Sequence, residues 1–164
     1  MVILGIDPGL ALMGYGVIEF ERQKIKLIQY GCIETQAKSP TPQRLRSIYV
    51  GVNQLIDTYK PDEIAFEELF FARNVTTAMN VGAARGVALV AAAQRTEELY
   101  EYTPMQIKQA VTGYGGADKH QVQHMVKLLL HMNDIARPDD AADALAVAIT
   151  HANSQHAKDM FKIK

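Results

Sequence analysis

The sequence contains a single cysteine, Cys32, among its 164 residues. One thiol excludes an intrachain disulfide and a cysteine-rich zinc site, and it suits a reducing compartment. No apolar run approaches the roughly 18 to 20 residues that cross a bilayer. The N-terminal segment has no basic region and carries Asp7, which is not the pattern of a signal peptide. We therefore expect a cytoplasmic protein with no membrane partner.

A charge excess of either sign is also missing, since the formal net charge is −1. This balance neither indicates nor excludes a nucleic-acid partner, because an acidic site can mask a basic surface elsewhere on the molecule. The hydrophobic content of 48% and the charged content of 21% are ordinary for a globular protein. The length predicts one domain over residues 1–153, followed by a polar and disordered tail over residues 154–164.

The order of the predicted elements indicates an α/β fold. Short segments rich in β-branched and apolar residues predict strands at 2–7, 15–20, 25–33, 62–68 and 99–102. Helical spacing and Pro or Gly boundaries predict helices over about 42–60, 74–95, 104–111, 117–132 and 138–153. Three strands followed by alternating helices and strands predict a five-stranded mixed sheet with helices on both faces.

The predicted helix over 74–95 is unusually rich in small residues, including Gly82 and Gly86. Each helical glycine costs up to about 1 kcal/mol relative to alanine, so close packing against a partner is the expected compensation. That partner is either the sheet of the same chain or a second copy of the chain. The sequence alone leaves both interpretations open.

Acidic residues from three distant segments are the main functional signal. Asp7 ends the apolar run 2–6, Glu67 ends the run 64–66, and Asp140 and Asp143 open an apolar helix. A carboxylate at the end of a buried element needs cations or hydrogen bonds to offset its desolvation. Clustered oxygen ligands suit Mg²⁺ or Mn²⁺, and a pair of such ions is a common device for phosphodiester hydrolysis.

Spacing leaves two choices open within this acidic set. Asp140 and Asp143 share a helix face at i and i+3, but Asp139 is an alternative partner for Asp143 at i and i+4. Glu67 and Glu68 point to opposite faces of a strand, and alternation alone does not tell which one faces the site.

Several motifs together resemble the RuvC family of Holliday-junction resolvases over residues 1 to 153. The matching segments keep the family's order and spacing: Gly5-Ile6-Asp7-Pro8-Gly9, Gly14-Tyr15-Gly16-Val17, Ala65-Phe66-Glu67, Ala84-Arg85-Gly86-Val87-Ala88, Gln121-Val122-Gln123-His124-Met125-Val126 and Asp140-Ala141-Ala142-Asp143-Ala144-Leu145-Ala146. Independent motifs occurring together are far more specific than any one of them.

The resemblance implies a ribonuclease H-like fold and a Mg²⁺-dependent endonuclease that works as a homodimer. Such an enzyme nicks two opposing strands of a four-way DNA junction symmetrically, leaves 5′-phosphate and 3′-hydroxyl ends, and cooperates with the RuvA and RuvB branch-migration proteins. The family's catalytic and metal-binding acids fall on Asp7, Glu67, Asp140 and Asp143, with aspartate at a position where some members carry histidine. Two ions per site are implied, and Mn²⁺ is expected to substitute for Mg²⁺.

The resemblance also implies three DNA-binding residues. Lys108 and Lys119 match lysines of the family that serve DNA binding and catalysis, and they flank the glycine-rich loop 113–116. Without the family match, both would be interpreted as ordinary solvated lysines. Phe70, three residues after Glu67, matches a base-stacking phenylalanine; the alternative is that its ring caps the core above the strand.

Three rival functions are weighed against this interpretation. An actin-like or sugar-kinase ATPase has a related first strand, but 164 residues are too few for its two lobes. A junction-binding protein without nuclease activity has no need of four acids, and ribonuclease H uses similar acids on RNA–DNA hybrids. His120 and His124 have the i, i+4 spacing of zinc ligands but lack a third ligand, so we interpret them as surface residues.

Overall fold

Three antiparallel strands begin the fold. In the computed structural model, which describes residues 1–69 and 75–164, they are β1 (Val2–Asp7), β2 (Leu12–Glu21) and β3 (Lys24–Glu34). The turn between β2 and β3 places Arg22 and Gln23 at φ values of 49° and 65°. This left-handed turn gives the right-handed twist that a tight hairpin requires.

Two further strands extend the sheet on the other side of β1. β4 (Glu63–Glu67) pairs in parallel with β1, and β5 (Leu99–Tyr102) pairs in parallel with β4. The strand order is β3-β2-β1-β4-β5. The predicted five-stranded mixed sheet is therefore confirmed, and β1 lies at its centre.

Helices cover both faces of the sheet, as predicted. One face packs against α1 (Thr41–Tyr59) and α2 (Val75–Ala93), and the other against α3 (Pro104–Thr112), α4 (Lys119–Leu129) and α5 (Asp139–Asn153). α4 is shorter than the predicted 117–132 because Asp118 caps its first turn, accepting a 2.9 Å bond from the Gln121 N–H.

The glycines of β1 and β2 allow α5 to lie directly on the sheet. A Cβ on Gly5 would fall 2.3 Å from the Ala144 carbonyl oxygen, and one on Gly14 would fall 1.9 Å from the Asp140 carbonyl oxygen. Eleven of the fifteen residues of α5 are buried as a result. The close approach explains why a helix so rich in alanine forms the centre of this layer.

α2 buries one side only. Ala84, Ala88, Ala91 and Ala92 are fully buried, whereas Val75, Met79 and Val90 are 71%, 70% and 55% exposed. Among the described helices, only α2 has the length and apolar composition that a membrane span requires. Its buried alanines and the ion pair of its Arg85 with Glu101 of β5 join it to the rest of the domain.

The C-terminal segment is ordered, so the expectation of a disordered tail over 154–164 is wrong. Residues Gln155–Phe161 form a 3₁₀ helix, and Lys162 then makes an antiparallel bridge to Tyr100 of β5. The polar composition of this segment has a structural cause. Its side chains form a hydrogen bond and an ion pair with Glu63, an acid that is only 4% exposed.

Glu63 is the centre of a buried polar network between β4 and α5. Its carboxylate accepts bonds from His151 Nε2 at 2.7 Å and Gln155 Nε2 at 2.9 Å, and it is ion-paired with Lys158. Burial opposes ionisation of Glu63, but the bonds from Lys158, Gln155 and His151 prevail and lower its pKa. Burial lowers the pKa of His151, so this ring is neutral and accepts from the Tyr102 hydroxyl.

Replacing Lys158 by alanine should therefore lower the free energy of unfolding by about 1–3 kcal/mol at pH 7, because a buried carboxylate loses its cation. Since the pKa of folded Glu63 is lowered, its contribution is present above the unfolded value of 4.5 and is lost as pH falls through the folded pKa. Urea unfolding at pH 7 and pH 4 checks both parts. Lys164→Ala, at the exposed end of the chain, is the control. An equal effect of the two substitutions would contradict this role of Lys158.

Candidate active site

The acidic residues predicted from the sequence lie at one edge of the sheet. β1 and β4 are parallel neighbours with Ile6 paired to Phe66, so Asp7 and Glu67 end the two strands side by side. Gly14, the partner of Asp7 on β2, carries the backbone of Asp140 directly above it. The first turn of α5 therefore delivers its carboxylates to the same edge.

Strand alternation places Asp7 and Glu67 on the face that α5 covers. On β4, Glu63 bonds to His151 of α5, and Glu67 has the same parity as Glu63. On β1, Gly5 contacts α5, and Asp7 has the same parity as Gly5. The choice between Glu67 and Glu68 that the sequence left open therefore falls on Glu67, while Glu68 follows the end of the strand.

The four carboxyl groups interact strongly with one another. Burial, followed by the charges of Glu67, Asp143 and Asp140, raises the pKa of Asp7 to about 9. Burial and the charge of Asp143 also raise the pKa of Glu67. Burial and repulsion therefore favour a proton within the Asp7–Glu67 pair, whose carboxyl groups are hydrogen-bonded to each other.

Lys119 neutralises the other side of the cluster. Its Nζ lies 2.9 Å from Asp143 Oδ2 and 3.5 Å from Asp139 Oδ2. Burial raises the pKa of Asp143, and the bond from Lys119 opposes that shift. For Lys119 itself, partial burial disfavours the charge, but Asp143 and Asp139 prevail and raise its pKa.

The carboxylates meet in pairs and do not form one preformed cage. Within residues 1–69 and 75–164, no three His, Cys, Asp or Glu side chains are arranged to hold a metal ion. The assignment of all four acids as metal ligands therefore stays a prediction. Like charges repel at short range, so Asp7 pairs with Glu67 through a shared proton and Asp143 pairs with Lys119.

Two grooves meet at this cluster. Glu67, Lys108, Lys119 and Asp143 line the first, which we call the lysine groove. Asp7, Arg44, Thr77, Asn80 and Asp140 line the second, which we call the arginine groove. Asp139 lines neither groove. It is ion-paired with Arg137 and with Lys119.

The ends of α3 and α4 position the two lysines. Thr103 and Gln106 form a reciprocal cap at the start of α3, and Asp118 and Gln121 form another at the start of α4. Lys119 is the first residue of α4, and Lys108 lies one turn into α3. Both lysines thus lie beside Glu67 and Asp143, and their part in DNA binding stays a prediction. Phe70 lies outside the described residues.

A histidine pair and one arginine of the family motif lie outside the two grooves. His120 and His124 are both exposed, and their ring centroids lie 4.7 Å apart on the outside of α4. Arg85, part of the family motif over 84–88, is half-buried and ion-paired with Glu101.

Gly14 and Arg44 have site positions that the sequence did not predict. Gly14 was part of the family motif, but its close contact with the backbone of Asp140 follows only from the packing of α5. A glycine inside a strand is a signal of close approach, and it could have indicated this contact. Arg44 gave no signal, because an arginine on an amphipathic helix is usually a solvated residue.

Comparisons with known proteins agree with this geometry. The family described as crossover junction endodeoxyribonuclease RuvC matches residues 3–151. The RuvC protein of Alkaliphilus metalliredigens is 57% identical over 164 residues, covering 100% of both chains. The RuvC protein of Finegoldia magna is 52% identical, also over 100% of both chains.

A solved structure of Thermus thermophilus RuvC in complex with a Holliday junction substrate is 38% identical. It aligns with a TM-score of 0.89 and covers 94% of this chain and 94% of its own. A yeast mitochondrial Holliday junction resolvase, 15% identical with a TM-score of 0.69, shares the fold. The chain therefore belongs to the RuvC family of crossover junction endodeoxyribonucleases, metal-dependent nucleases that resolve Holliday junctions.

Proposed function

We propose that Asp7, Glu67, Asp140 and Asp143 are the catalytic acids of this nuclease and together hold two Mg²⁺ ions, with Mn²⁺ as a substitute. One observation carries the proposal: the carboxyl groups lie at one sheet edge, and burial with mutual repulsion raises the pKa of Asp7 to about 9. Only a cation or a proton relieves such a cluster. The ligands are hard oxygen donors, which suit Mg²⁺.

Bound ions would activate water for in-line attack and stabilise the departing 3′ oxygen. The protein residues prepare for this in two ways. Asp7 would release its proton to solvent and hold an ion as a carboxylate, and Asp143 would exchange its ion pair with Lys119 for a bond to an ion. Freed in this way, the Lys119 ammonium remains in the lysine groove with Lys108, where both can contact a DNA phosphate. Phe70 is proposed to stack on an unpaired base at the junction.

The exposed side of α2 is the proposed surface for a second copy of the chain. Val75, Met79 and Val90 are exposed on it, and a Cβ on Gly86 would meet nothing within 4 Å. An apolar stripe with small residues at its centre allows two helices to approach closely. A homodimer would present two active sites at a fixed separation, which suits symmetric paired nicks in opposing strands.

Met79→Glu should convert this dimer to monomer at micromolar concentration, because it buries a charge in the interface. Sedimentation equilibrium measures the change, with Leu128→Glu on α4 as the control, since Leu128 is also apolar and 61% exposed. The monomer should still bind DNA but lose paired cleavage. A dimer that persists in Met79→Glu while Leu128→Glu dissociates would move the interface away from α2.

The proposed cellular role is resolution of recombination intermediates in the cytoplasm, together with the RuvA and RuvB proteins. Products with 5′-phosphate and 3′-hydroxyl ends would allow direct ligation. Support for the substrate comes from the Thermus thermophilus relative, whose structure holds a Holliday junction.

Cleavage of three substrates tests the proposal: a synthetic four-way junction, a linear duplex and an RNA–DNA hybrid, each with Mg²⁺. We expect symmetric nicks in the junction alone. Asp143→Asn should lower the single-turnover rate by at least about 10²-fold, because a ligand carboxylate is lost, while junction binding remains nearly intact. A preference for the hybrid would favour a ribonuclease H function, and normal cutting by Asp143→Asn would remove that residue from the catalytic set.

A further inference from the structure

The arginine groove shares no lining residue with the lysine groove, which contains both lysines. Its walls are the turn after β1, the first part of α1 and the first described turns of α2. Asp7 and Asp140 form its inner end, next to the proposed reaction centre. A DNA strand whose scissile phosphate lies at the cluster must continue in both directions, and the lysine groove accounts for only one of them.

Arg44 is held in this groove by a chain of two hydrogen bonds. Its Nε donates to Thr35 Oγ1 at 2.9 Å, and the Thr35 hydroxyl donates to the Leu10 carbonyl at 2.5 Å. Leu10 belongs to the turn that follows Asp7. The orientation of the guanidinium is therefore fixed relative to the acid cluster, while its two terminal nitrogens are not used by these bonds.

Arg44 also lacks a carboxylate partner. Arg22, Arg85, Arg95 and Arg137 form ion pairs in the part of the chain that the structure describes, whereas the half-buried Arg44 and the exposed Arg46 have none within 4.0 Å there. It nevertheless shares a groove with Asp7 and Asp140. A half-buried, oriented guanidinium that does not pair with nearby acids has a planar set of donors left for an anion.

We propose that the arginine groove binds the phosphate adjacent to the scissile one, on the side of the cleaved strand away from the lysine groove. Arg44 contacts this phosphate with its terminal nitrogens, and Thr35 acts as a positioning residue for Arg44. Asn80 on the facing wall adds a neutral donor. The inference rests on the proposed nuclease function, because it assumes that the scissile phosphate lies at the four acids.

Junction binding in EDTA tests the contact without cleavage. Arg44→Ala should weaken binding and reduce the slope of log K against log[salt] by about 0.9 in magnitude, the change expected for one lost phosphate contact. Arg46→Ala is the matched control, since Arg46 is an exposed arginine on the same helix that lines a different groove. Equal losses of junction affinity in the two variants would show that net charge alone is responsible, and this result would overturn the proposal.

Neutral phosphate substitutions locate the contact. Junctions carrying one methylphosphonate at each position next to the cut are combined with Arg44→Ala and with Lys119→Ala. The loss of junction affinity caused by Arg44→Ala should vanish when one adjacent phosphate is already neutral. The loss caused by Lys119→Ala should vanish when a phosphate on the other side of the cut is neutral. Additive effects of Arg44→Ala at every tested phosphate would overturn the assignment.

Two further variants separate phosphate binding from folding. Arg44→Gln keeps a donor for Thr35 but removes the charge, so it should unfold like wild type yet bind like Arg44→Ala. Thr35→Val keeps the charge of Arg44 but removes the hydrogen bond that orients its guanidinium. This variant should therefore slow single-turnover cleavage about ten- to hundredfold with an unchanged salt slope. Normal binding and cleavage by Arg44→Gln would refute the inference. Failure of wild-type protein to cut junctions would instead refute the proposed function.

Discussion

Replacing Asp7 by asparagine should abolish junction cleavage and make the metal-free protein more stable at alkaline pH. Burial and the charges of Glu67, Asp143 and Asp140 raise the pKa of Asp7 to about 9, so the folded state favours its proton. The stability this proton contributes is complete below the unfolded value of 3.8 and is lost as pH rises toward about 9. Asparagine mimics the protonated acid, and it cannot replace the anionic ligand.

Urea unfolding in EDTA between pH 5 and pH 8 measures the first effect. Wild type should lose about 2 kcal/mol or more over this range, since each pKa unit corresponds to 1.36 kcal/mol, and Asp7→Asn should lose much less. Asp159→Asn, at an exposed position, should behave as wild type. Identical pH profiles for Asp7→Asn and wild type would show that Asp7 is ionised in the folded protein.

The same variant should lose its response to metal. Mg²⁺ should stabilise wild type by about 2.7 kcal/mol at one hundred times its dissociation constant, because the ion binds the folded state alone. Asp7→Asn should gain little, and its cleavage rate should fall at least about 10²-fold. Equal Mg²⁺ stabilisation of the two proteins would place the ion away from Asp7.

Replacing Gly14 by alanine should disrupt the site through the backbone alone. The added Cβ would lie 1.9 Å from the Asp140 carbonyl oxygen and 2.4 Å from its carbon, so the start of α5 has to move. Overpacking of this kind costs about 3 kcal/mol or more when backbone atoms are involved. Since Asp140 and Asp143 travel with the helix, cleavage should fall about 10²-fold even where the protein remains folded.

Gly31→Ala on the neighbouring β3 is the control for Gly14→Ala. The three nearest atoms to its added Cβ all belong to the Tyr15 side chain, at 2.8 to 3.1 Å, and that ring can shift. Urea unfolding and single-turnover cleavage are compared for the two variants. A Gly14→Ala protein as stable and as active as Gly31→Ala would show that α5 does not depend on this contact.

The sequence predicted those features that local patterns determine. β1 and β4 appeared as apolar runs that end in acids, and α5 appeared as an apolar helix that begins with Asp140 and Asp143. Five strands and helices on two faces followed from the order of these patterns. The choice of Glu67 over Glu68 needed either the family motif or the observed packing of α5, because strand alternation is symmetric.

Features set by long-range contacts could not be predicted in the same way. The tail was expected to be disordered because its residues are polar, yet Lys158 and Gln155 contact Glu63, more than 90 positions earlier in the chain. Arg44 acquires its orientation from Thr35 and the turn after Asp7, which come together only in the folded state. The pairing of the acids likewise reflects side-chain repulsion and a shared proton, which spacing does not encode.

The bridge between Lys162 and β5 also has a consequence for aggregation. The open edge of a sheet is a template for strands of other molecules, and here the chain covers its own β5 edge, with the Ile163 N–H donating to the Leu99 carbonyl at 3.0 Å. β3 pairs only with β2 within the described chain, and its outer edge carries Lys24 and Lys26 near one end. Proteolytic loss of the last few residues would therefore leave the edge of β5 unpaired, as a second site for pairing with strands of other molecules. Insoluble aggregates should then form faster without any change at the active site.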